Sequence, residues 1–219
     1  VYKRQATDKE RLADVVLNGL FSPGTGGLVP PGMPGHAKGV GPAYDPDRAR
    51  QLLTQAGFPG GRGFPDVFFL VPAGAVHGEV MDYLQTEWRE KLGVQVTGEI
   101  VDWTVLFDRL DGERPHIFVT AWVADYPDPD NFLRVNPFRR YTGWRSGVYD
   151  RLIDKASRLT VQGDRIGLYQ EADRILVEEA VIVPLYYYRS HMLVKPWVTK
   201  YPTSATDQWL WKDVIIEPH

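Results

Sequence analysis

Pro65-Asp66-Val67-Phe68-Phe69-Leu70-Val71-Pro72 is the stretch on which the fold turns. Val67 to Val71 is a continuous apolar run closed on both sides by proline. It reads as a strand buried on both faces, because a half-buried strand would alternate apolar and polar residues. Val80, Leu84, Trp88 and Leu92 follow at helical spacing, Gly93 stops them, and Val94, Val96 and Ile100 then alternate as strand residues do. The outcome is a strand, helix, strand unit. Further along, Trp103 to Leu110 resembles a short helix and Ile117 to Trp122 another apolar strand. Residues 147–159 and 163–179 read as two helices joined around Gln162-Gly163, and Val181 to Tyr188 and Met192 to Val194 as closing strands. Strands that alternate with helices specify an α/β domain with a mainly central sheet covered on both sides.

Upstream of this unit, Thr7 with Glu10 forms a capping-box pair, and Leu12, Val15 and Val16 make an apolar stripe that ends at Gly19. Leu20 to Tyr44 is rich in proline and glycine, including Pro30-Pro31-Gly32-Met33-Pro34-Gly35. Prolines lack the amide donor, so this stretch is expected to be a long ordered loop or a linker. Asp45-Pro46 reads as N-cap and first helical residue, Leu52, Leu53 and Ala56 as a buried stripe, and Gly57 as a left-handed stop. That places a helix over 46–56. Val1-Tyr2-Lys3-Arg4-Gln5 match one reading frame of a sequencing-library adapter, so residues 1–5 are set aside from the fold as an artefact of gene assembly. The natural N-terminus is then expected to be missing, with any export signal. At the other end, Trp209, Trp211, Val214, Ile215 and Ile216 sit in a segment with no helix of its own, which needs another surface to pack on.

The chain has 219 residues, 25 basic against 28 acidic side chains, a formal net charge of −3 and 43% apolar residues, which excludes disorder and allows a sizeable core. Without a dense Lys/Arg block, neither nucleic acid nor an anionic membrane is expected as a partner. No apolar run approaches the roughly 20 residues that span a bilayer. Zero cysteines removes disulfides, thiolate metal sites and cysteine nucleophiles together. There is no HExxH, GxSxG, Walker lysine loop or GxGxxG between a strand and a helix, and the five histidines lie too far apart in sequence for a local metal site. No catalytic residue, metal or cofactor is assigned. Gly60-Gly61-Arg62-Gly63 precedes a strand, so no helix N-terminus is available to hold phosphate, and it reads as a turn.

The densest constellation is Trp122-Val123-Ala124-Asp125-Tyr126-Pro127-Asp128-Pro129-Asp130-Asn131-Phe132-Leu133, just beyond a strand end. Ligand crevices form at strand C-termini, and aromatic faces beside a carboxylate suit a cation. Asp128 and Asp130 read as turn formers or an N-cap instead, and calcium fits poorly because Pro127 and Pro129 stiffen the loop.

Seven pieces of the chain, in order and in register, resemble the large extracytoplasmic solute-binding proteins of ABC importers, the oligopeptide- and dipeptide-binding type of family 5. They are Leu28 to Gly35; Tyr44-Asp45-Pro46 with Ala49, Leu52 and Leu53; Ala56 to Gly61; Trp88 to Val94; Trp122 to Leu133; Tyr149 to Ile153; and Arg165 through Tyr169 and Ala172 to Leu185. The resemblance implies a protein of two lobes closing like a flytrap, of which residues 6–195 would form most of the C-terminal, ligand-binding lobe. Residues 196–219 would cross back to an absent N-terminal lobe, with the signal peptide or lipid anchor in the missing part. It implies a monomeric, non-catalytic, periplasmic or extracytoplasmic component that captures a peptide or another cationic small solute. The solute would pass to an ABC permease with its ATPase, and membrane contact would come only through the missing anchor or that permease. It further implies that Asp125, the aspartate of a W-x-A-D-Y motif, pairs with the ligand's α-ammonium, with Trp122 and Tyr126 beside it and His77 facing the ligand's other end. The arginines that hold a peptide carboxylate in some members are replaced here by Val71-Pro72 and Val119, and Arg139, Arg140 and Arg145 are expected to be solvated surface charges. The same lobe also serves as a sensor in cytoplasmic regulators, and a hydrolase is the third alternative.

Overall fold

The computed structural model describes residues 2–113, 115–202, 204 and 210–218. In chain order the elements are α1 (Tyr2–Gln5), α2 (Lys9–Arg11) running into a π-type turn over Leu12–Val16, β1 (Ser22–Pro23), α3 (Pro46–Gln55), β2 (Phe68–Pro72), α4 (His77–Leu92), β3 (Thr97–Val101) and α5 (Trp103–Gly112). There follow β4 (Ile117–Phe118), a second π-type turn over Asn131–Val135, α6 (Phe138–Thr142), α7 (Gly147–Arg158), α8 (Gln162–Glu178), β5 (Tyr186–Tyr187), β6 (Val198–Lys200) and β7 (Ile215–Ile216).

β2 is the centre of a parallel sheet of order β3-β2-β4, paired with β3 from Phe68↔Thr97 to Pro72↔Val101 and with β4 through Phe69↔Ile117 and Leu70↔Phe118. Its two faces are both covered, as the unbroken apolar run requires. Phe69 and Val71 pack with Val80, Leu84, Trp88 and Leu92 of α4, while Leu70 packs with Leu106 and Leu110 of α5. Phe69, Leu70 and Val71 are at most 1% exposed, and burial of such side chains contributes roughly 1.5–3 kcal/mol each. β3 is the sheet edge, so Ile100 is largely exposed; Val94 and Val96 are buried in the approach to the strand, which starts only at Thr97.

A second core gathers around the α7/α8 pair. Tyr149 and Ile153 of α7 and Tyr169, Ala172 and Leu176 of α8 close on Val29, Phe132, Leu133 and Phe138. The Pro/Gly-rich stretch is therefore an ordered loop that enters a core. Asp173, fully buried on α8, accepts the amides of Leu28 (2.7 Å) and Val29 (3.3 Å), and a Cβ on Gly27 would lie 2.0 Å from the same carboxylate. The loop's other ties are the Tyr187 hydroxyl, which accepts the Gly26 amide and donates to the Gly27 carbonyl, and His36 Nδ1, which donates to the Val29 carbonyl at 2.7 Å.

Several sequence expectations are corrected. Thr7 is not the cap: its hydroxyl donates to the Lys3 carbonyl and accepts the Trp88 indole, and Asp8 caps α2 by accepting the Arg11 amide. Val15 points to solvent at 65% exposure. The strand expected over 117–122 is reduced to Ile117–Phe118, with one further bond from the Val119 amide to Leu70, before the chain leaves the sheet. The strand expected over 181–188 is reduced to Tyr186–Tyr187 on β1, since Pro184 interrupts it without an amide. Met192 to Val194 form no strand; Leu193 is fully exposed and no ladder reaches it. The tail makes its own antiparallel pair, β6 with β7, and leaves Leu210, Trp211 and Ile216 more than 60% exposed; Trp209 lies outside the described residues. The helices over 46–56, 147–159 and 163–179 stand to within a residue, with Asp45 capping α3 and Gly57 at φ +93° after it.

Residues 2–5, set aside at first, fold as α1 and are built in: the Asp45 amide donates to the Gln5 carbonyl and the Trp88 indole reaches the Lys3 carbonyl. Their side chains suit those places badly. Arg4 is 6% exposed with Nε and Nη1 unpartnered, Gln5 Oε1 is buried and unpartnered, and burial pushes the Lys3 amine down to about 8. Glu178 attracts Arg4, but a buried guanidinium with two unsatisfied nitrogens is still a liability that an apolar side chain of similar size removes. Arg4→Leu should therefore raise the unfolding free energy, by about 1–3 kcal/mol, in a urea titration; an unchanged or lower midpoint would show that Arg4 is accommodated.

Asp173 makes a second prediction. Burial raises its carboxyl to about 6, against the pull of the Leu28 and Val29 amides, from an ordinary value of 3.8. Between those two pH values the native state holds the proton that the unfolded chain has released. The stability it contributes is complete below about pH 4 and lost as pH rises through about pH 6. Urea unfolding of Asp173→Asn across this window should lack that part of the decline; parallel pH profiles for the two proteins would contradict the assignment.

Candidate functional site

The chain leaving β4 runs past Trp122 into the proline-punctuated motif loop. Pro127 and Pro129 keep the loop from joining the sheet, and Asn131, fully buried, decides how it is pinned. Its Oδ1 accepts the Trp122 indole N–H at 2.7 Å and the Asp125 amide at 3.3 Å, while its Nδ2 donates to Asp125 Oδ2 at 3.2 Å. One side chain thus fixes both the aromatic and the acidic member of the motif.

The three aspartates of the loop separate by environment. Asp128 accepts the Asp130 amide and takes a two-pronged ion pair from Arg165 at 2.6 Å on each oxygen. Asp130 accepts from Arg134 Nε and Nη2, the Tyr169 hydroxyl and the Tyr126 hydroxyl. Burial acts to raise its pKa, yet the hydrogen bonds from Arg134, Tyr169 and Tyr126 outweigh it and hold the carboxyl below the usual range. Asp128 holds a turn, as expected; Asp130 precedes the π-type turn without a side-chain cap bond and serves instead as the hub of a side-chain network. Asp125 is exposed and keeps Oδ1 free of any hydrogen bond among the described residues.

A cleft of about 1020 Å³ opens beside this loop. Its walls come from Pro30 to Pro34 of the Pro/Gly-rich loop, from 115–124, from α6 and the turn after it, and from 179–188. Trp122 and His77 line it; Asp125 and Tyr126 do not, although their neighbours Ala124 and Pro127 do. His77 starts α4, is 4% exposed, and its Nδ1 lies 3.0 Å from the Pro72 carbonyl, which can only accept, so Nδ1 carries a proton. Tyr126, turned toward Asp130, acts as a brace for the loop. The three arginines expected to be solvated surface charges have protein partners: Arg139 pairs with Asp150, Arg140 with Asp111, and Arg145 donates to the Arg139 and Trp144 carbonyls. Among the described residues no group of three His, Asp or Glu side chains is placed to hold a metal, and no helix is long and apolar enough to cross a membrane.

Asn131 had no role in the sequence reading. Its only signal is position: an amide just inside a turn after a Trp/Asp pair, followed by the apolar Phe132-Leu133 that pulls it inward. Asn131→Ala should leave the Trp122 indole and the Asp125 amide without partners and cost about 2–4 kcal/mol of stability. Asn131→Asp keeps an acceptor for Trp122 but sets a second carboxylate against Asp125. Amide and indole hydrogen exchange should show 122–125 freed in the alanine variant; unchanged protection there would remove Asn131 from the role.

A family model described as bacterial extracellular solute-binding proteins, family 5 Middle, matches residues 4–141. The chain is 28% identical over 97% of its length to a probable deoxycholate-binding periplasmic protein, YgiS, of Escherichia coli, covering 41% of that protein. It is 30% identical over 71% of its length to the periplasmic oligopeptide-binding protein OppA of Salmonella typhimurium, covering 29% of it. Among solved structures, OppA of Burkholderia pseudomallei superposes with a TM-score of 0.84 at 26% identity, over 99% of this chain and 45% of that one. The murein tripeptide-binding protein MppA of Escherichia coli does so with a TM-score of 0.84 at 23% identity, over 100% and 44%. The chain therefore spans less than half the length of these four relatives, with the fold of one lobe of a periplasmic binding protein.

Proposed function

The chain belongs to the bacterial extracellular solute-binding proteins of family 5, and from that premise we propose that it carries the ligand-binding lobe of an ABC importer's solute receptor. The receptor captures peptides or related small solutes outside the cytoplasm, hands them to the permease, and leaves them chemically unchanged. The observation that carries the reading is the pinned triad of Asp125, Asn131 and Trp122 at the rim of an aromatic cleft. Among the described residues Asp125 is the one aspartate of its loop that no protein cation engages, which leaves an oxygen for a ligand ammonium, with Trp122 beside it and His77 on the cleft wall. Relatives bearing this fold are periplasmic by name, one binding oligopeptides and another murein peptide, which supports both the cargo class and the compartment.

Calorimetric titration of the full-length gene product with a peptide pool, followed by mass spectrometry of the pool, tests this. Peptides should bind and be recovered intact, and Asp125→Asn should weaken binding by about 2 kcal/mol or more, the loss of a charged hydrogen bond in a site closed to water. Undiminished affinity in Asp125→Asn would sink the ammonium assignment, and cleavage that tracks protein concentration would replace the receptor by a hydrolase.

A further inference from the structure

The walls of the cleft are lopsided in chemistry. Phe118, Trp122, Phe138, Tyr141, Trp144 and Tyr188 supply broad aromatic surface, while among the described lining residues Glu179 is the one carboxylate. Glu179 already accepts the Trp144 indole N–H at 2.8 Å. The other charged lining groups, Lys3 and Arg4, are cations, with Glu178 attracting Arg4 from nearby. Several acidic side chains near these walls are committed to protein cations, Asp128 to Arg165, Asp130 to Arg134, Asp150 to Arg139 and Asp111 to Arg140, while Asp173 is buried on the Leu28 and Val29 amides.

Building on the receptor reading, we propose that this lobe selects peptides with apolar or aromatic side chains and discriminates against lysine and arginine side chains. Asp125 answers for one positive charge, the α-ammonium, at the rim. A second cation carried into the cleft would shed its water and meet rings and other cations. Rings attract an ammonium, but more weakly than the water it loses. An apolar side chain has nothing to lose there and gains by covering the aromatic surface. Selection then comes from an absence of partners as much as from attraction, the usual route to discrimination at a polar-poor site.

The test is a set of tripeptides of the form Ala-Xaa-Ala, with Xaa phenylalanine, lysine or Nε-acetyl-lysine, titrated into the full-length gene product. Lysine and acetyl-lysine have the same stem, so the pair isolates charge. The phenylalanine and acetyl-lysine peptides should bind about tenfold or more tighter than the lysine peptide. Val183→Asp, which adds a carboxylate to an exposed wall position, should tighten the lysine peptide without tightening its acetylated form. A lysine peptide that binds the unaltered protein as tightly as the acetylated one overturns the selectivity and leaves the receptor reading intact. Failure of all three peptides to bind, with a thermal shift from deoxycholate, overturns the peptide reading itself.

Discussion

Asp173 holds two backbone amides in a place where no water can share the work. The Pro/Gly-rich loop has little ladder to fix it, since β1 is two residues long and one isolated bridge joins Gly26 to Lys38, so side chains such as Asp173, Tyr187 and His36 supply its ties. Proline removes amides from any ladder, so a loop of this composition keeps a single path only if side chains supply its partners. A buried carboxylate is costly, and two amide donors offset that cost only in part, which is why its carboxyl stays as high as about 6. The return is a fixed wall, since Leu28 and Pro30 to Pro34, held directly or through this anchor, line the cleft.

The motif loop is held the same way. Asn131 pins Trp122 and Asp125; Asp130 joins Arg134, Tyr126 and Tyr169; Asp128 and Arg165 fasten the loop to α8. The partly buried members of this set are worth more than surface ion pairs, whose contribution is about 0–1 kcal/mol, because losing one partner strands the other out of water. The network also explains why three aspartates within six residues do different work. Two are consumed in building the loop, and the third is held in place by an amide that cannot neutralise it.

The sheet and the long helices were legible because local rules and tertiary needs agree there. An apolar run between prolines became the buried central strand, and the Asp45-Pro46 and Gly57 signals bounded α3 as capping chemistry requires. Strands were overextended at 117–122 and 181–188, where apolar residues line the cleft, and at 192–194, where they face solvent; an apolar run reports burial or its demand, not a ladder. Of the candidate site, Trp122 and His77 do line the cleft, whereas the places of Asp125 and Tyr126 depend on Asn131 and Asp130, contacts that only the folded loop creates. Asp173 did leave a mark: it sits on the same stripe as Tyr169, Ala172, Leu176 and Val177, where a carboxylate must find a buried donor.

Exposure of Asp125 then has a consequence for how recognition works. In water, a carboxylate and an ammonium gain about 0–1 kcal/mol from one another, too little to select a ligand. The same pair gains severalfold once water is excluded, provided both charges keep their hydrogen bonds. Asp125 keeps one such bond from Asn131 whether or not a ligand is present, so its geometry is set in advance and only its solvent has to change. On the proposed reading, the ammonium contact is therefore weak while the cleft is open and strengthens as a second surface covers the rim. A ligand that fills the aromatic wall supplies part of that cover itself, which ties the apolar preference of the cleft to the strength of its one ionic contact.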